Sequence, residues 1–73
     1  MMKISYNPLW KTLIDRKMTK SALRDRARLS KATITRMGKD EPVGLDIVLR
    51  ICEALNCAVY DVVEVIEAPE KEQ

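Results

Sequence analysis

Five residues between positions 31 and 36, Lys31, Ala32, Thr33, Thr35 and Arg36, carry the groups needed to read the edge of a base pair. A lysine ammonium or an arginine guanidinium donates to guanine O6 and N7, and alanine and threonine methyls pack against the thymine methyl. A helix over this stretch would turn these side chains outward, with its first turn reaching base edges in the major groove. A second set, Lys20, Arg24, Arg26, Ser30 and Lys39, flanks the first and supplies donors for phosphate oxygens. Main-chain N–H groups at helix starts would strengthen that grip.

The charge distribution agrees with this assignment. The 73 residues carry 13 Lys and Arg against 11 Asp and Glu, a formal net charge of only +2. Residues 1–39 nevertheless hold eleven bases and two acids, whereas residues 40–73 hold two bases and nine acids. A basic pole points to a polyanion, and the competing reading is a solvated surface on which the two halves pair. The bases fall on and around the two helices that would meet a duplex, which favours double-stranded DNA. RNA recognition leans on aromatic stacking, and Tyr6, Trp10 and Tyr60 all lie outside the basic stretch.

Other function classes find little support. The chain has no His and no Gly-rich phosphate loop, and its acids lack a pairing pattern, so an enzyme is not expected. Ser30 and Thr33 read as a helix cap and a groove contact rather than as nucleophiles. Cys52 and Cys57 lie five apart, which is neither a redox nor a zinc spacing, and read as two buried apolar thiols. No metal and no cofactor are expected. No run approaches the ~20 apolar residues of a membrane span, and the N-terminus lacks a signal-peptide core. The expectation is a cytoplasmic protein with no membrane partner.

The elements that must hold these residues can be traced along the chain. Lys3 to Tyr6 alternates and is a strand candidate. Asn7 and Pro8 open a first helix to about Lys17, with Asn7 as cap and Leu9, Leu13 and Ile14 as its apolar stripe. Trp10 lies on the flank and is expected to be partly buried. Thr19 caps a second helix whose apolar face is only Leu23 and Ala27. Ser30 caps a third, with Ile34 and Met37 inward and Gly38 as its left-handed end. Leu45 to Leu55 forms a fourth, with Leu45, Val48, Leu49, Cys52 and Leu55 on one stripe and Ile47, Ile51 and Ala54 widening it. One more helical turn is expected around Tyr60 and Asp61, after which Glu64 to Ile66 turns β-like and can pair with Ile4 to Tyr6.

Two short helices joined by a few residues form a helix-turn-helix over about residues 19–38. Leu23, Ala27, Leu29, Ile34 and Met37 would lock them together. The sequence here resembles the lambda-repressor/Cro-like helix-turn-helix family, also called the XRE family, and most of all a small single-domain branch of it. The resemblance covers about residues 8 to 63. It rests on Leu9, Leu13, Leu23, Leu29, Ser30, Ile34, Met37, Gly38, Leu45, Leu49, the run Ile51 to Leu55, and Asp61. Met18, Thr19 and Lys20 match the entry to the second helix.

The resemblance implies an all-α, five-helix domain, with an antiparallel pairing of the two ends as an addition. It implies a transcriptional regulator, a repressor before an activator, that binds a double-stranded DNA operator as a homodimer. Two residues depart from the pattern. Arg24 stands where a small residue is usual and must snorkel outward. Arg28 stands where the turn usually carries Gly, so φ > 0 is expected there at a cost of about 1 kcal/mol. The domain is expected over residues 1–66, followed by a flexible acidic tail over 67–73. No effector domain is recognisable, so no small-molecule ligand is expected. Ile47, Ile51, Ala54 and the 59–66 segment are the expected dimer surface. The alternative on the same fold is a protein-interaction module such as an antitoxin or anti-repressor.

Overall fold

The computed structural model of the chain describes residues 1–68. Strand β1 (Met2–Ser5) leads into helices α1 (Asn7–Asp15), α2 (Lys20–Ala27), α3 (Lys31–Gly38) and α4 (Leu45–Leu55), then a 3-10 turn (Val59–Asp61) and strand β2 (Glu64–Glu67). The expected fifth helix is only that 3-10 turn, so the α-helices number four among the described residues. The Asp61 carboxylate caps the start of this turn by accepting the Ala58 N–H at 3.2 Å, and β2 begins three residues after Asp61, which leaves no room for a longer helix.

The two strands pair antiparallel, with Met2 opposite Glu67 and Ser5 opposite Glu64. Pairing thus takes in Met2 and leaves out Tyr6, which sequence alone placed in the strand. It also takes in Glu67, assigned above to the tail, and the Ala68 N–H donates to the Met1 carbonyl at 2.7 Å. The remainder of that expected tail, residues 69–73, lies outside the described residues.

Side-chain caps start α2 and α3 as expected. Thr19 Oγ1 accepts the Ala22 N–H at 3.0 Å and Ser30 Oγ accepts the Thr33 N–H at 3.1 Å. The start of α1 differs. Asn7 is the first helical residue rather than its cap, and its N–H donates to Ser5 Oγ at 3.2 Å. Tyr6 occupies the cap position because its ring is buried and its main chain is committed to the loop after α3.

All four helices end in one way. A non-glycine residue adopts the left-handed conformation, namely Lys17, Arg28, Asp40 and Asn56, with φ between 51° and 59°. The following N–H groups, of Met18, Leu29, Glu41 and Cys57, then close onto carbonyls five residues back, of Leu13, Arg24, Arg36 and Cys52. These are Schellman closures, which normally recruit glycine because a Cβ disfavours positive φ. Two expectations change with them. Helix α1 stops at Asp15, since Lys17 belongs to its closure. Gly38 is an ordinary helical residue and Asp40 supplies the left-handed position, held by the Tyr6 N–H at 3.2 Å from Asp40 Oδ1.

The core joins Tyr6, Leu9 and Leu13 to Leu23, Ala27, Leu29, Met37, Val48, Ile51, Leu55 and Val62. Ile14, predicted to face inward, is 74% exposed, because Leu9 and Leu13 already fill the buried line of α1. On α4 the inward residues are Val48, Ile51 and Leu55, and Leu45 and Leu49 are exposed. Ile51 was assigned to a partner surface and is instead fully buried, whereas Ile47 and Ala54 are half-buried against the core. Cys52 and Cys57 are free thiols, half-buried rather than buried. No helix among the described residues is long and apolar enough to cross a membrane.

Candidate nucleic-acid interface

Helix α2 packs against α3 and α4 through Leu23 and Ala27, and α3 inserts Met37 and, less deeply, Ile34. Both helices are short and weakly apolar, so the burial of these few side chains, rather than helix propensity, fixes their crossing. Arg28 makes the turn at φ 59°, ψ 48°, the left-handed conformation expected of it. Its carbonyl accepts from Arg50 Nη1 at 3.3 Å, which ties the turn to α4.

This framework leaves Lys31, Ala32, Thr35 and Arg36 exposed on α3 and Thr33 half-buried. Thr33 sits lower because its hydroxyl lies 2.9 Å from Ser30 Oγ inside the cap. The Thr35 hydroxyl donates to the Lys31 carbonyl at 3.1 Å, one helical turn back. Arg24 is half-buried, with its Nε 3.7 Å from Asp25 Oδ1, and it lines a shallow groove between α2 and α3. Lys20, Ser21, Lys31, Ile34 and Thr35 complete that groove. The structure therefore brings two expected phosphate contacts, Lys20 and Arg24, beside two expected base readers, Lys31 and Thr35.

The other expected contacts lie apart. Arg26 belongs to a separate recess with Arg28, Arg50 and Glu53, between the end of α2 and α4. Lys39 is exposed at the end of α3. Arg36 is engaged by the loop after α3, with Nη2 donating to the Pro42 carbonyl at 2.7 Å and Nε 3.5 Å from Glu41 Oε1. Sequence reasoning did not single out three supporting residues. Ser21 lines the groove. Trp10 places its ring 4.4 Å from Lys20 Nζ, a cation–π distance. Glu41 pairs with Arg36, a contact that requires the loop to turn back on the helix and that no local pattern announces.

The arrangement has donors and cations but no reacting pair. Among the described residues no three His, Cys, Asp or Glu side chains gather as they would around a metal ion. The two displaced ionisations belong to groups behind the exposed face. Burial pushes the Tyr6 phenol up, and burial together with Cys52 and Asp61 pushes the Cys57 thiol up.

Residues 8–68 match the family model of the Cro/C1-type HTH DNA-binding domain. The chain belongs to the Cro/C1-type helix-turn-helix family. A solved structure, the crystal structure of transcriptional regulator VanUg, is similar at 48% sequence identity, over 92% of this chain and 89% of that one, with a TM-score of 0.88. None of the curated proteins matches the chain. The Cro/C1-type match takes in all of α2, the turn and α3, and so every residue of the groove described above.

Proposed function

We propose that the protein is a cytoplasmic transcriptional regulator, a repressor, that binds a double-stranded operator as a homodimer with α3 in the major groove. The observation that carries this reading is the groove in which Lys20 and Arg24 of α2 stand beside Lys31 and Thr35 of α3. Cations that straddle a helix pair match a duplex whose phosphates flank its base edges. Lys31, Ala32, Thr33, Thr35 and Arg36 read bases in this proposal. Lys20, Arg24, Arg26, Ser30 and Lys39 hold phosphates.

One module of this size covers about half an operator, and specific affinity is usually reached by pairing two half-sites. Leu45 and Leu49, at 83% and 60% exposure, give α4 an apolar surface for a second copy. Selection of bound sequences from random duplex DNA tests the whole reading. The expected result is a palindrome, and binding that weakens steeply with salt. A protein that recovers no sequence and shows no salt dependence is not a DNA-binding regulator.

A further inference from the structure

Arg36 does not stand free on the recognition helix. Its Nε lies 3.5 Å from Glu41 Oε1, and its Nη2 donates to the Pro42 carbonyl at 2.7 Å. The Nε–H and the neighbouring Nη2–H form the side edge of the planar guanidinium. The tip, made by Nη1 and the second Nη2–H, is free of protein partners among the described residues. Such a tip offers two parallel donors, the pattern that matches guanine O6 and N7.

The loop that holds Arg36 is itself anchored. The Glu41 N–H donates to the Arg36 carbonyl at 3.0 Å. The Tyr6 hydroxyl donates to the Glu41 carbonyl at 2.8 Å, and the Tyr6 N–H reaches Asp40 Oδ1. Tyr6 is 1% exposed, so a buried ring from before α1 fixes the segment that grips the arginine.

We infer that Glu41, with the Pro42 carbonyl, positions Arg36 for base reading, and that Glu41 thereby determines specificity without touching a base. The inference rests on the proposed docking of α3. Glu41 acts in two ways. It holds the side edge so that the tip points along one direction. It also offsets the arginine's charge, which weakens its pull toward any nearby phosphate and makes its contribution depend on base acceptors. Without Glu41, Arg36 is released to the nearest phosphate. Base preference then falls while affinity for arbitrary duplex holds or rises. A merely loosened fold would lower both.

The test uses the full chain in selection from random duplex DNA, with Arg36→Ala, Glu41→Ala, Glu41→Gln and the double alanine variant beside the unsubstituted protein. Titration against the selected duplex and a random duplex follows. The unsubstituted protein is expected to select guanine at a position that Arg36→Ala loses. Glu41→Ala should lose about fivefold or more of the same preference, with random-duplex affinity unchanged or higher. Glu41→Gln keeps a side-chain oxygen beside Nε but loses the charge, and should fall between the unsubstituted protein and Glu41→Ala. The double variant should discriminate no worse than Arg36→Ala alone. Retention of the guanine preference by Glu41→Ala overturns the inference, as does an equal loss on both duplexes. If every selected position survives both Arg36→Ala and Glu41→Ala, the inference fails and the docking of α3 stands. If the unsubstituted protein selects nothing, both fail.

Discussion

Arg50 on α4 donates from Nη1 to the main-chain carbonyl of Arg28, 3.3 Å away across the turn between α2 and α3. The bond asks nothing of the Arg28 side chain, whose cost is its left-handed backbone at φ 59°. Arg28→Gly is therefore expected to stabilise the fold. Relief of about 1 kcal/mol of left-handed strain exceeds the entropy that glycine adds to the unfolded chain. The urea midpoint should rise, while affinity for duplex DNA falls with the lost cation. A lower midpoint would show that the Arg28 side chain itself holds the turn.

Tyr6→Phe keeps the buried ring and removes the hydroxyl that donates to the Glu41 carbonyl. Loss of that bond should cost about 1–2 kcal/mol in chemical denaturation. The same variant reports on pH. Burial raises the Tyr6 pKa, so its contribution is fully present below the unfolded value of about 10 and is lost as pH rises through the folded one. Cys57 is raised as well, and its contribution fades from about pH 9 upward. Stability should thus fall across the alkaline range. Tyr6→Phe should flatten the upper part of that fall and Cys57→Ala the lower part. Parallel alkaline curves for all three proteins would refute the assignment.

Lys20 lies over Trp10, the single indole of the chain, with Nζ 4.4 Å from the ring. A lysine that leaves the ring for a phosphate changes the polarity the indole senses. Duplex titration should therefore shift Trp10 emission, and the shift should vanish in Lys20→Ala. That variant should also bind all duplexes more weakly, with the salt slope reduced by about one. Full emission change in Lys20→Ala would mean that Trp10 responds to something else.

Lys31 and Arg26 separate the two kinds of contact. Lys31 shares the groove with Lys20 and Arg24, and Arg26 lies in the recess beside Arg28 and Arg50. Lys31→Ala should cost about 1–3 kcal/mol on a selected sequence and relax preference at one or two positions. Arg26→Ala should cost selected and random duplexes equally. Equal losses from Lys31→Ala would make it a phosphate contact.

The chemistry of the α2–α3 turn was legible in the residues, and the start of α1, the end of α3 and the choice between apolar faces were not. Thr19 and Ser30 cap as their types require, and Arg28 takes the positive φ that its place in the motif demands. Both are local matters. On α4, by contrast, Leu45, Ile47, Val48, Leu49, Ile51, Cys52, Ala54 and Leu55 offer overlapping helical faces. Periodicity cannot choose among them until α2 is in place, and the choice fell on Val48, Ile51 and Leu55. Gly38 misled for a related reason. A glycine at a helix end is a strong local signal, but the distant Tyr6 N–H holds Asp40 in the left-handed position instead. The site residues were legible as types on a helix. The hold of Glu41 on Arg36 was not, since it depends on the path of a loop.

The pairing of β1 with β2 has a kinetic consequence. Each helix closes on itself over a few residues, whereas Met2 meets Glu67 only after almost the whole described chain has been gathered. The entropy lost in closing so long a loop is repaid only by contacts that exist once the helices have docked. The strands are thus expected to join last during folding and to part first in the native state. Amide exchange should find the Lys3 and Ile66 N–H groups, which face each other across the pairing, opening at lower free energy than those of Leu23 and Ile51. Equal protection across the four sites would mean that the ends and the helical core melt as one unit.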